Sequence, residues 1–214
     1  MGPNEREIDA SSSRRSLLAV TGIGLGASLL AACGAKEEPK KEVREGPGQT
    51  NNAQRFSRGD TGIAEYALLL ELLELDFYDK ASGSGVLKGS NLELLDEIGQ
   101  NEAEHVDVLK KTVEQFGGRI PALPETTFSF PSERVTLETA ATLENTGAAA
   151  YLGQAPRVQD PDFLAAALSI HTVEARHAAA INELVDKPVA PDGPFAKPMD
   201  MDEVLKAIKP FLEA

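Results

Sequence analysis

Two short motifs in this sequence have the form Glu-x-x-His: Glu102 with His105, and Glu174 with His177. Each residue of an α-helix turns the side-chain direction by about 100°, so residues three apart share a face. A carboxylate and an imidazole on one face make a metal-ligand pair of hard to borderline character, suited to iron, manganese or zinc. One such pair is commonplace on a helix surface; the neighbours of these two set them apart. Leu95, Ile98, Val106, Leu109, Val113 and Phe116 project one apolar stripe with Glu102 at its centre and His105 at its edge, while Glu93, Glu97, Glu104 and Lys111 face away. Phe163, Ala167, Ile170, Ala178, Ile181 and Val185 do the same around Glu174 and His177, with Arg176 and Glu183 facing outward. Both pairs therefore sit where a core leucine is expected.

A second signature occupies two other segments: Glu71 is followed seven residues later by Tyr78, and Glu144 seven residues later by Tyr151. Glu144 shares a line with Leu137, Ala140, Ala148 and Tyr151. Glu71 lies in a broader arc with Ala67, Leu70, Leu75 and Tyr78 that also contains Glu74, so both glutamates stay open there; the matching tyrosine spacing favours Glu71. Four carboxylates cannot occupy an apolar core uncompensated, because an unpaired buried charge costs several kcal/mol. No Lys or Arg falls at a stripe centre, whereas two divalent cations supply four positive charges against four negative ones. Tyr78 and Tyr151 read as core residues whose hydroxyls find a partner. His171, one turn before Glu174, reads as a supporting histidine rather than a further ligand.

The elements that must position these groups follow from caps and breakers. Asp60 or Thr61 caps a first helix running to about Ala81, where Ser82-Gly83-Ser84-Gly85 stops it. Ser90, with Glu93 three residues on, forms the capping box of a second helix that ends at Gly117-Gly118. Arg119 to about Glu133, with three prolines and Phe128-Ser129-Phe130, reads as a long extended crossover. A third helix spans about Thr136 to Gly153, and Asp160 caps a fourth with Pro161 at its first position, running to about Val185. Four further prolines from Pro188 to Pro198 precede a small helix near Met201 to Leu212. Short, long, short is the connection pattern of an all-α four-helix bundle with one crossover.

The first part of the chain reads as an address. Arg14 and Arg15 precede an apolar run from Leu17 to Ala32, interrupted by Gly22, Gly24 and Gly26 and ending in Leu30-Ala31-Ala32-Cys33. The run falls short of the ~20 residues a membrane span needs. The layout is that of a signal peptide over 1–32, resembling a twin-arginine export signal with a bacterial lipobox, which makes Cys33 the lipidated first residue of an exported protein. Residues 33–58 are rich in Lys, Glu, Pro, Gly and Asn, the composition of a disordered tether. That leaves a bundle over 59–186 and a Pro-rich segment with a short helix over 187–214. The net charge of -13, with no basic cluster interleaved with aromatics, repels a phosphate backbone and excludes nucleic acid as a partner. With a single cysteine, no intramolecular disulfide can form.

These stretches resemble the ferritin-like superfamily, and within it the bacterial exported ferritin-like proteins related to plant desiccation-associated proteins. The resemblance runs from about Asp60 to Val185 and is carried by Leu70 to Tyr78, Glu102 to His105, Leu143 to Gly147 with Ala150 to Gly153, and Glu174 to His177. It implies two iron ions, or manganese in their place. Glu71 and Glu144 are then terminal ligands, Glu102 and Glu174 bridge, and His105 and His177 bind one metal each. All six residue types are present. Bundles of this kind host oxidases, peroxidases, storage shells and proteins of other roles, so the resemblance alone does not choose an activity. The expectation is a centre at the outer face of the cytoplasmic membrane or in the cell envelope, reacting with O2 or H2O2 or oxidising Fe(II). A non-enzymatic envelope stress protein and a di-manganese catalase are the rivals. A lipid tether fits poorly with a closed storage shell but is compatible with a homodimer through one bundle face.

Overall fold

The computed structural model describes residues 55–213. Arg14, Arg15, Cys33 and nearly all of the expected tether lie outside the described residues. Within them the chain forms α1 (Gly59–Gly83), α2 (Ser90–Gln115), α3 (Glu133–Gln154), α4 (Pro161–Leu184) and α5 (Met201–Ile208). The first four make a bundle in which α1 packs chiefly on α2 and α3 on α4, with the one long connection between α2 and α3. The described residues contain no β-strand. The crossover is instead tied to the C-terminal segment by an isolated bridge between Thr126 and Leu212, with hydrogen bonds from Thr127 N–H to Phe211 O (2.9 Å) and from Glu213 N–H to Glu125 O (2.8 Å). No described helix is long and apolar enough to cross a membrane.

The helix ends correct two expected caps. Neither Asp60 nor Thr61 caps α1, which begins one residue earlier behind Arg58 with no side-chain cap bond. The Asp60 carboxylate instead accepts from the backbone N–H groups of Gln159 (3.0 Å) and Asp160 (2.6 Å), fastening the start of α1 to the loop that launches α4. Nor does Ser90 form a capping box with Glu93: Ser90 is the first helical residue, and Gly89 stands at the cap with φ 57°, a conformation that excludes a side-chain cap of the ordinary extended kind. Elsewhere the sequence signals act as expected. Gly117 (φ 69°) ends α2 in a Schellman turn, with Gly118 N–H donating to Val113 O and Gly117 N–H to Glu114 O. Asp160 caps α4 through Asp162 N–H (3.0 Å) and Phe163 N–H (2.8 Å).

The apolar interior is divided into two lobes. One gathers Leu69, Leu73, Phe77, Leu95, Ile98, Leu143 and Ile181, closed by Met201, Val204 and Ile208 of α5. The other gathers Ile63, Leu68, Val106, Leu109, Val113, Phe163 and Ile170. On α2 and α4 the residue between the two lobes is a buried glutamate, Glu102 and Glu174, and Glu71 of α1 and Glu144 of α3 join them in the interior, all four 0% exposed. The four carboxylates are thus buried beside the two apolar clusters, while the His105 side chain keeps 12% exposure.

Candidate metal centre

The two Glu-x-x-His pairs face each other from α2 and α4, with the His105 and His177 rings 6.4 Å apart between centroids. His105 Nδ1 lies 3.0 Å from Glu102, 3.2 Å from Glu174 and 3.3 Å from Glu71. His177 Nδ1 lies 3.1 Å from Glu102 and 3.4 Å from Glu144. The six residues form two overlapping groups, Glu71–Glu102–His105–Glu174 and Glu102–Glu144–Glu174–His177. Within each group one ligand atom from every residue lies within 4.8 Å of the others. Glu102 and Glu174 belong to both groups, so the two carboxylates at the stripe centres are the ones placed to be shared. Each group could hold a metal ion.

Six atoms test whether these residues fit a metal pair. Glu71 Oε2, Glu102 Oε1, Glu144 Oε2, both Glu174 oxygens and His177 Nδ1 are buried and make no hydrogen bond. Buried polar atoms are ordinarily satisfied, and an orphan costs about 1–3 kcal/mol. Here the orphans fall on five of the six candidate ligands, while the outer oxygens of the terminal glutamates are taken. Tyr151 donates its hydroxyl to Glu71 Oε1 (2.5 Å), and Tyr78 donates to Glu144 Oε1. The donor set therefore fits two hard or borderline divalent ions, with the tyrosines holding the terminal carboxylates from behind.

Without metal, protons hold the cluster together. Burial lowers the His105 pKa, but Glu102, Glu174 and Glu71 outweigh it and carry it up to about 12. His177 is likewise pulled down by burial and raised by Glu102 and Glu144, to about 9. Burial drives Glu71 up to about 8, partly offset by His105. Glu174 is raised well above the usual carboxylate range by burial and then by the charges of Glu71 and Glu144; burial also raises Glu144. Glu102 is the exception: burial pushes it up, yet the two histidines hold it down at about 2. One ionised carboxylate thus anchors two imidazolium groups while its neighbours favour their neutral form. These protons belong to the cluster as a whole.

Glu74, the rival on α1, is not in either group. It is buried (3% exposed) beside Glu174, with one oxygen unpartnered, and burial followed by the charges of Glu174 and Glu71 raises its pKa well above normal. Its place is made by Gly147, where a Cβ would lie 2.8 Å from Glu74 Oε1 and 3.0 Å from Glu174 Oε2. Glu74 follows Glu71 by three residues and Gly147 follows Glu144 by three, so the large side chain of one half fills the gap left by the other. Gly147→Ala would gain up to ~1 kcal/mol of helix propensity but must displace both carboxylates, an overpacking that costs roughly 1–3 kcal/mol. We expect a net loss of about 1 kcal/mol for the single change. The double variant Glu74→Ala/Gly147→Ala should be the more stable, a coupling measured by denaturant unfolding of all four proteins in the cycle.

His171 stands apart from the six. Its Nδ1 lies 3.1 Å from Ala148 O of α3, and the ring lines a cavity of about 180 Å³ between α3, α4 and the 189–197 segment. Two functional or supporting residues escaped the sequence reading. Asn101 places its side-chain amide nitrogen 3.1 Å from His177 Nε2; its position one turn before His105 was the available signal, although its partner is the histidine of the other helix. Glu65, 2% exposed, accepts from Ser57 N–H (2.6 Å), Ser57 Oγ–H (2.9 Å) and Arg119 N–H (2.9 Å), so its carboxylate staples two chain segments together and is fully used. Nothing local announces those partners.

A helical bundle with a shared glutamate–histidine layer defines a class, and comparison with known families agrees. Residues 59–187 match the ferritin-like domain, and the chain belongs to that family. Comparison with curated proteins returned no match.

Proposed function

We propose that this protein is a membrane-tethered di-iron protein that reacts with O2 or H2O2, as a ferroxidase or in peroxide detoxification. One observation carries the reading: the unsatisfied atoms of the buried cluster converge, from four helices, on two overlapping ligand groups that share Glu102 and Glu174. Glu71, Glu102, His105, Glu144, Glu174 and His177 would hold two Fe(II) ions, which would supply one electron each, enough with two protons to reduce H2O2 to two molecules of water. The chain's own residues do the rest. Glu71 and Glu144, held from behind by Tyr151 and Tyr78, keep their inner oxygens turned toward the layer. His105 Nδ1 and His177 Nδ1 face the carboxylates and release their protons to admit metal. The apolar lobes beside them keep the four carboxylates buried. Cys33 and the Arg14-Arg15 pair support placement at the outer face of the cytoplasmic membrane or in the cell envelope, by the lipid-anchor layout of the sequence alone.

The test is metal analysis of the natively purified protein, followed by anaerobic Fe(II) loading and stopped-flow addition of H2O2 or O2. The expected result is about two iron ions per chain, oxidised faster than free Fe(II). Intact iron binding with no acceleration would reject the enzymatic reading. Manganese as the native metal, with rapid O2 release from peroxide, would replace it with a catalase.

A further inference from the structure

We infer that Asn101 is a positioning residue that makes the two halves of the metal centre unequal, holding His177 in place while His105 has no such partner. The inference rests on the two-metal reading above and adds to it an order of filling.

The bundle is an internal repeat: Glu71 and Tyr78 of α1 correspond to Glu144 and Tyr151 of α3, and Glu102 and His105 of α2 to Glu174 and His177 of α4. The hydrogen bonds of the tyrosines respect that symmetry, each reaching the glutamate of the other half. The support of the histidines does not. Asn101, immediately before Glu102, brings its amide to 3.1 Å from His177 Nε2. The corresponding residue, immediately before Glu174, is Val173, which has no polar side-chain atom to offer. Among the described residues no hydrogen bond reaches His105 Nε2, and the His105 side chain is the more exposed of the two, at 12% against 8%.

The chemistry that follows is specific. Both histidines direct Nδ1 at the carboxylates, so a metal takes Nδ1 and the remaining proton sits on Nε2. An amide turned by half a rotation offers an oxygen to that proton, fixing the ring plane and its tautomer and making Nδ1 a better donor. Partners of this kind are worth 10- to 100-fold in metal affinity, so the His177 half fills first and the His105 half second.

The experiment titrates the metal-free full-length protein with Co(II), read by calorimetry and by visible absorption. The wild type is expected to fill in two steps about 10- to 100-fold apart. In Asn101→Ala the tighter step weakens by about that factor and the two merge, while the weaker step keeps its affinity. Asn101→Asp, whose carboxylate also accepts from Nε2–H, restores two steps. Placing Val173→Asn in the Asn101→Ala background supplies the missing partner to the other half and again separates them. If Asn101→Ala titrates as the wild type does, or if both steps weaken together, the inference is overturned and the two-metal reading stands. A wild type that binds no Co(II) overturns both.

Discussion

Loading the metal-free protein with Fe(II) under nitrogen, or with Mn(II), is expected to raise its unfolding temperature by about 10 °C or more. Free metal at a thousand times its dissociation constant adds ~4 kcal/mol per site, and each kcal/mol moves the midpoint of a domain this size by about 2–4 °C. The variants should separate by group membership. Glu102 belongs to both ligand groups, so Glu102→Ala should abolish the shift. Glu71 serves only the His105 group and Glu144 only the His177 group, so Glu71→Ala and Glu144→Ala should each retain about one ion per chain by metal analysis. The metal-free variants should diverge too. Glu102 is the ionised partner of two imidazoliums, and its loss strands them, at a cost of about 3–5 kcal/mol. Glu174 makes no hydrogen bond and its one close polar contact is His105 at 3.2 Å, which keeps Glu102 and Glu71, so Glu174→Leu should leave the metal-free fold within ~1–3 kcal/mol of the wild type while destroying metal binding. A Glu174→Leu protein that keeps the metal-induced shift would rule the shared-ligand assignment out.

The second large effect is a pH dependence of the metal-free protein that metal binding removes. In the metal-free protein Glu71 rises from the ordinary 4.5 to about 8, and Glu74, Glu144 and Glu174 shift the same way. Between those values the folded state holds more protons than the unfolded one, so stability falls as pH rises. The histidines act with the same sign: their contribution is complete below 6.5 and is lost as pH climbs through about 9 and about 12. Only Glu102 opposes them, contributing above 4.5 and losing that as pH falls toward about 2. The metal-free protein should therefore be most stable in mildly acidic solution and lose several kcal/mol by pH 8, since each excess proton is worth ~1.4 kcal/mol per pH unit. Metal must displace those same protons, so its affinity climbs with pH. Thermal scans at pH 5, 6.5 and 8 should show the gap between loaded and metal-free protein widening at each step. A constant gap would mean that the cluster does not exchange protons for metal.

The physical reason for the legible part of this protein is periodicity. Glu102 and Glu174 were placed at the centres of their stripes because the direction of a helical side chain depends only on its position along one helix, and Leu95, Ile98, Phe163 and Ile170 mark the inner face without reference to any other element. The same locality made Asp160 readable as a cap and Gly117 as a stop. It also produced the errors at Asp60 and Ser90: both have the chemistry of a cap, but Asp60 was claimed by the amides before α4, and Gly89 entered α2 in a conformation that left Ser90 inside.

Contacts between helices were beyond that reach. The seven-residue spacing of Glu71 to Tyr78 left the partner of each hydroxyl open; each tyrosine binds the glutamate of the opposite half, because a side chain projecting from the inner face meets the facing helix before it can fold back along its own. The choice between Glu71 and Glu74 likewise needed α3, where Gly147 leaves room for Glu74 to sit behind the layer while Glu71 enters it. Asn101 became visible only when α2 and α4 were brought together. Composition and period determined that four helices would each turn a carboxylate inward; which oxygen is free, which is held and which histidine is supported depended on distances across the bundle that no single helix encodes.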